Sequence, residues 1–374
     1  MAHETPDASA HPEPALDGMW ALRDFEPLAR ERLHPGAWGY ISGGSWDEAT
    51  LRDNPEAWAR YRLLPRVLRD VSRVDTSTVV LGRTAALPFG VAPAALHGLA
   101  HADGECATAR AAAAAGTIFC LSTAASRSIE EVAAAAPDAR RWFQLYPTED
   151  RDFTRALVER AVRAGYEAIV LTVDLPVFGY RESDRRLAFE MAADSLAHFA
   201  RDERGQSFEE IIAKAYVPIT WDDLAVIAGW SSLPLIVKGV LHPEDARLAA
   251  EHGAAAVWVS NHGGRQLDRT PAAADALRPV LDAVADRVEV YVDGGIRRGT
   301  DVVTALALGA RAVFAARPFL WALAVAGEAG VARAFAILRE ETELAMALLG
   351  ARSVAELAPE HVLPAAARPA AGPL

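Results

Sequence analysis

Two glycine-rich segments of this 374-residue sequence carry side chains able to do acid–base and anion chemistry. The first is Ser260-Asn261-His262-Gly263-Gly264-Arg265-Gln266. His262 can exchange a proton near neutral pH, Arg265 can grip a carboxylate through two parallel hydrogen bonds, and the paired glycines let the backbone turn tightly beside a ligand. The second is Val292-Asp293-Gly294-Gly295-Ile296-Arg297-Arg298-Gly299, followed by a helix expected over Thr300 to Leu308. Glycine amides, an arginine and a helix N-terminus are the parts of a phosphate cradle, and Ala316-Arg317-Pro318 adds a further cation. Asp174 is a carboxylate that could orient His262 and stabilise its protonated form. Taken singly, each feature also fits a plain structural part: a Gly-rich turn with a surface histidine, or a satisfied lysine at a strand end.

The elements that must position these residues are visible as an alternation. Short apolar runs at 87–92, 117–122, 142–146, 168–173, 233–238, 255–260, 288–292 and 312–316 read as eight strands covered on both faces. Helical patterns lie between them: Ser128 to Ala136 with a Ser-x-x-Glu start, Asp152 to Ala164 ending at Gly165, and Pro243 to His252 ending at Gly253. This predicts an α/β fold, a (β/α)8 TIM barrel. The alternative, a doubly wound open sheet, lacks a Gly-x-Gly-x-x-Gly after its first strand. In a barrel the strand ends converge on one mouth. That places Gln144 and Tyr146, Thr172 and Asp174, Lys238, Ser260, His262 and Arg265, and Asp293, Gly294, Gly295 and Arg297 on one rim. Two segments depart from the repeat. Residues 20–80 are expected to form a helical preface, and 182–218 a long loop after strand 4, with a helical stretch around Phe208 to Ala215. That loop reads equally as an active-site lid or as a mobile surface loop.

Composition narrows the field. Hydrophobic residues make up 51% and charged residues 24%, the balance of a chain with a large core. Net charge is −12, from 38 Lys+Arg against 50 Asp+Glu, and no dense basic run appears, which disfavours a nucleic-acid partner. Cys106 and Cys120 lack metal-ligand spacing and suggest no disulfide framework. Residues 1–19 lack the basic start and apolar run of a secretory signal and read as a flexible tail; 20–363 read as one domain and 364–374 as a second tail. No uncharged apolar run reaches membrane-spanning length. The expectation is a soluble, cytoplasmic protein without a membrane partner.

The motifs together resemble the FMN-dependent (S)-2-hydroxy acid oxidase and dehydrogenase family, which includes glycolate, lactate, mandelate and hydroxymandelate oxidising enzymes. The match covers roughly residues 20–350. It is carried in order by Val91-Ala92-Pro93, Phe143 to Tyr146, Leu171 to Asp174, Val237-Lys238-Gly239, Ser260 to Gln266 and Asp293 to Gly299. The resemblance implies FMN across the barrel mouth. Pro93, Ala94 and Ala95 would lie beside its reactive edge, with Ser122, Gln144 and Thr172 hydrogen-bonded to the ring and Lys238 near N1 and O2. Ser260 and Asp293 belong to the same set, Asp293 on the ribityl hydroxyls, with Gly294, Gly295, Arg297, Ala316 and Arg317 around the phosphate. His262 would take the substrate's hydroxyl proton, supported by Asp174 and Tyr146, while Arg265 and Arg181 hold its carboxylate.

Three departures bear on the substrate. The family's N-terminal carboxylate-binding Tyr aligns with Trp38, with Tyr40 nearby as a substitute or as core packing. The bulky aromatic that closes the glycolate oxidase pocket aligns with Ala124. Ala316 stands where a Gly usually precedes the phosphate arginine. The expected substrate is therefore an aryl (S)-2-hydroxy acid such as mandelate or 4-hydroxymandelate, oxidised to the 2-keto acid with O2 reduced to hydrogen peroxide. The alternatives are the same chemistry on a specialised biosynthetic substrate, a dehydrogenase with another acceptor, or a non-catalytic flavin-binding protein. The resemblance also implies a homotetramer or octamer.

Overall fold

A computed structural model of the chain describes residues 16–187, 189, 195–199 and 217–364. Most of the expected lid, including Phe208 to Ala215, lies outside the described residues. Twelve strands occur among them. In chain order they are β1 (Tyr61–Leu63), β2 (Thr78–Val80), β3 (Arg83–Ala85), β4 (Phe89–Val91), β5 (Ile118–Ser122), β6 (Arg140–Leu145), β7 (Ala168–Thr172), β8 (Leu235–Val240), β9 (Ala256–Val259), β10 (Glu289–Asp293), β11 (Ala312–Ala315) and β12 (Val362–Pro364). Strands β4 to β11 close into a parallel eight-stranded barrel, β11 pairing back to β4, with helices in the connections. All eight expected barrel strands are present, shifted by a few residues at their ends.

Their near-continuous apolar sequences follow from burial on two sides. One side packs against the surrounding helices and the other fills the barrel with Trp142, Trp258, Tyr291 and Phe314, each no more than 1% exposed. Trp258 and Phe314 lie with ring centroids 4.1 Å apart, so the interior is a packed core and not a channel. The β2–β3 hairpin plugs the end opposite the mouth. Arg140 donates to the Val80 carbonyl at 3.1 Å, and the Leu81 amide donates to Glu289, which also accepts from the Tyr291 hydroxyl.

The expected helix starts hold as well. Ser128 and Glu131 cap Ile129–Ala135 reciprocally, and Asp150 caps Arg151–Arg163. The preface departs from the expectation. Its helices Phe25–Arg32, Pro35–Ser42 and Ala49–Trp58 end at Trp58; β1 then pairs antiparallel with β12, and residues 78–80 enter the plug hairpin. A three-residue strand whose partner lies near the far end of the described chain has no local signature. The helix Arg317–Leu349 is long and apolar enough to cross a membrane by composition, but 61% of its apolar window is buried within the protein and its backbone breaks at Ala326 and Gly327.

Candidate active site

His262 sits in a three-residue turn directly after β9, with φ of 55°, followed by Gly263 and Gly264 at 64° and 74°. A non-glycine residue in this left-handed region is strained, and here the strain turns the imidazole into the barrel mouth. Its Nδ1 lies 2.9 Å from Asp174 Oδ1 and its Nε2 lies 3.4 Å from the Tyr146 hydroxyl. A carboxylate only accepts, so Nδ1 carries the proton and Nε2 presents its lone pair towards the cleft. Burial lowers the His262 pKa below its ordinary value, with Asp174 pulling the other way and Lys238 and Arg181 adding to the fall. For Asp174, burial acts to raise the carboxyl, but His262 and Lys238 together hold it below the usual range. The pair is a neutral base backed by a charged acceptor.

The approach of Asp174 depends on Gly239, whose φ is 104° and whose missing Cβ would lie 2.5 Å from Asp174 Cγ. Gly239→Ala is therefore expected to push Asp174 off His262. The enzyme should lose about tenfold or more in kcat, while its circular dichroism stays that of the folded protein.

Lys238, at the end of β8, donates to Ser260 Oγ at 2.9 Å and lies 3.2 Å from Asp293 Oδ2; Ser260 in turn donates to Asp293 Oδ1 at 2.7 Å. Ser260 is fully buried and does not line the cleft. It joins the lysine, the aspartate and the His262 amide. Gln144 and Thr172 are buried at neighbouring strand ends. Ser122 and the Thr123 amide donate to Gln144 Oε1, which leaves Gln144 Nε2 and Thr172 Oγ1 without partners among the described residues.

The cleft is lined by Pro93, Ala94, Ala95, Ser122, Ala124, Tyr146, Arg181, Lys238, His262, Arg265, Asp293, Gly294, Gly295, Arg297, Ala316 and Arg317. Tyr40, Ile41, Leu175, Phe178, Ile296 and Leu320, which sequence reasoning left out or in doubt, line it too. Trp38 does not. It stacks on Trp321 at 6.4 Å, on the other side of the helix Pro35–Ser42, and the aromatic that enters the cleft is Tyr40, under the Arg265 guanidinium at 4.9 Å. Two positions on a helix turn a side chain by more than half a circle, so Tyr40 and not Trp38 faces the cleft. Arg181 donates to the Arg265 carbonyl and to Gln266 Oε1, each at 3.3 Å, and so reaches the rim from the β7 loop.

At the other end, Arg297 and Arg317 flank Gly294 and Gly295, whose φ values of 101° and 84° let the backbone pass close to a ligand. Arg317 donates to the carbonyls of Ile41 and Gly43 at 3.2 and 3.0 Å. Burial, and then repulsion from Arg265 and Arg297, hold its pKa well below the ordinary arginine value. The expected helix N-terminus is not available: Asp301 Oδ2 accepts from the amides of Arg297 and Arg298 at 2.9 Å, and Glu341 accepts from Gly299 at 2.8 Å. Burial raises Asp301 to about 6. The anion-attracting groups here are the arginines.

A barrel whose mouth joins a buried His–Asp base to a cationic, glycine-floored pocket defines an oxidoreductase scaffold with a phosphate-bearing cofactor. The chain belongs to the FMN-dependent dehydrogenase family, whose model matches residues 29–364. It is 43% identical over 343 residues to 2-hydroxyacid oxidase 2 of Rattus norvegicus, covering 91% of this chain and 97% of that protein. It is 46% identical over 352 residues to glycolate oxidase 1 of Zea mays (91% and 95% covered) and 46% identical over 358 residues to the L-lactate oxidase of Nostoc sp. (92% and 98%). Among solved structures it resembles mandelate oxidase with a TM-score of 0.86 at 41% identity, covering 92% of this chain and 98% of that one. It is thus an FMN-dependent enzyme of the 2-hydroxy acid oxidase family.

The residues present fit FMN. The orphaned Gln144 Nε2 and Thr172 Oγ1 match a ring edge rich in acceptors and donors, and Arg297 and Arg317, which repel each other at one end of the cleft, suit an anion between them. A Cβ at Gly263, whose φ is 64°, would lie 2.7 Å from Arg317 Nη1, so a side chain there would be strained and would displace that cation.

Proposed function

We propose that the enzyme oxidises bulky, aryl (S)-2-hydroxy acids of the mandelate or 4-hydroxymandelate type to the 2-keto acid, with O2 as the final acceptor and hydrogen peroxide as product. The observation that carries this reading is Ala124. It is a methyl group on the cleft wall beside Ser122, where a larger side chain would restrict the substrate's own. Similarity to mandelate oxidase, including its structure with (S)-4-hydroxymandelic acid, supports it at a TM-score of 0.86 and 41% identity. Tyr40 lines the cleft where Trp38 does not, and it is the aromatic of this helix open to the substrate carboxylate.

FMN, when bound, supplies the acceptor for the hydride that leaves the substrate's α-carbon and returns the electron pair to O2. Ser122, Gln144 and Thr172 would hold its ring, Asp293 its ribityl chain, and Arg297 and Arg317 its phosphate. Arg265 and Arg181 orient the substrate carboxylate at the rim, and bidentate contact fixes which face of the α-carbon turns inward. His262 Nε2 accepts the hydroxyl proton. Tyr146 hydrogen-bonds the oxygen as its charge develops, and Asp174 stabilises the imidazolium through Nδ1. The Lys238 ammonium, 4% exposed, provides fixed positive charge at the mouth.

Mixing the holoenzyme anaerobically with (S)-mandelate, (S)-4-hydroxymandelate, (S)-lactate and glycolate, while following the flavin absorbance, tests the substrate class. Faster bleaching by the aryl acids, then recolouring with peroxide on admitting air, is expected; fast bleaching by glycolate alone would overturn the reading. The pH dependence is also set. His262 acts only when neutral, so kcat/KM falls as pH drops through its pKa. Because burial lowers that pKa, the acid limb should lie below the ordinary histidine value of about 6.5. A pH–rate profile with its acid limb above about 7 would contradict this assignment.

A further inference from the structure

Glu105 is a fully buried carboxylate that the mechanism above does not use. It stands in the first turn of the helix Gly104–Ala114 and is surrounded by neutral donors. Its Oε1 accepts from the amides of His97 and Ser126 at 3.0 and 2.9 Å. Its Oε2 accepts from the Ser126 hydroxyl at 2.6 Å, and that hydroxyl in turn accepts from the Gly98 amide at 2.8 Å. A buried carboxylate is costly unless its oxygens are satisfied, and these donors come from two separate loops. The loop after β4 carries Ala94 and Ala95, and the loop after β5 carries Ala124 next to Ser122 at the strand end; all four line the cleft. Between Ala95 and His97, Leu96 is held at φ 57°, a conformation unfavourable to its side chain. Another tie across the two loops is the Leu96 amide to the Ala124 carbonyl, at 3.2 Å.

We propose that Glu105 is a positioning residue that fixes the spacing of these two loops, and so sets how strongly the cleft discriminates large from small 2-hydroxy acids. The inference rests on the cleft being a 2-hydroxy acid site, but not on which acid is preferred. An acceptor-only side chain is required because each neighbour brings a proton. In Glu105→Gln an amide N–H faces a hydroxyl whose own proton already points at it.

The test uses FMN-loaded Glu105→Gln and Ser126→Ala enzymes, with Tyr291→Phe as a control that removes a hydrogen bond to a carboxylate at the far end of the barrel. Two readouts are taken: hydrogen exchange of the His97, Gly98 and Ser126 amides, and the ratio of kcat/KM for (S)-mandelate to that for glycolate. In the first two variants, exchange at the remaining loop amides should rise by about tenfold or more while β8 stays protected, and the substrate ratio should change by a similar factor. In Tyr291→Phe neither should move. If Glu105→Gln does not fold, Ser126→Ala decides, since it leaves the Oε1 arm in place and removes the hydroxyl that joins Oε2 to the Gly98 amide. An unchanged ratio, or exchange raised evenly across the barrel, overturns the proposal. Should the wild-type enzyme prefer glycolate, the aryl reading fails while the change in ratio still judges the role of Glu105.

Discussion

His262→Ala should bind FMN as well as the wild type and turn over about 10³-fold more slowly, because the variant keeps the arginines and loses the proton acceptor. Among the described residues no other group in the cleft takes the role. Tyr146 is a donor at neutral pH, Lys238 is engaged with Ser260 and Asp293, and Asp174 lies on the far side of the imidazole. Stopped-flow measurement of flavin bleaching under anaerobic conditions isolates this step from reoxidation. A variant with near wild-type bleaching would mean that proton transfer runs through another group. Added imidazole should restore part of the rate, since the space left by the side chain faces the cleft.

Arg317→Met should weaken FMN retention by about tenfold to a hundredfold, the range of a lost charge-assisted contact. Its effect in the apoprotein should be smaller and of a different kind. Arg317 is buried and repelled by Arg265 and Arg297, so removing its charge relieves unfavourable electrostatics, although the carbonyls of Ile41 and Gly43 each lose a donor. Melting with and without added FMN separates the two effects: the wild type should gain far more from FMN than the variant does. Equal gains would remove Arg317 from the phosphate site. Because the partners of Arg317 lie at the end of the helix Pro35–Ser42, the same variant should also raise KM for the hydroxy acid by disturbing the backbone around Tyr40.

What could be read from the sequence divides along a physical line. Strands buried on two faces announce themselves by apolar runs, and residues directly after them inherit their place at the mouth from barrel geometry alone. His262, Asp174, Lys238 and Arg297 were all reachable this way. The choice between Trp38 and Tyr40 was not, because a helix turns by about 100° per residue and only the packing of Trp38 on Trp321 shows which of the two enters the cleft. The helix start at Gly299 misled for a different reason. Its amides look available in sequence, but Asp301 is three residues ahead of them, and Glu341 comes from a distant helix. Ser260 illustrates a third case: its type suits a ligand contact, and it also joins three partners within the protein.

The pairing of β1 with β12 has a consequence for how the site comes into being. The helices Pro35–Ser42 and Ala49–Trp58, which carry Tyr40 and Asn54 to the mouth, lead into β1, and the strand partner of β1 among the described residues is 362–364. Asn54 exchanges two hydrogen bonds with Asn261 of the catalytic turn, at 2.9 and 2.8 Å. The preface is synthesised before its latch, so the barrel can close before β1 has its strand partner. Maturation of the cleft is then a late, long-range event, slow by virtue of its sequence separation. Removing residues 362–364 should leave a folded barrel that acquires substrate affinity more slowly on refolding than it acquires its secondary structure.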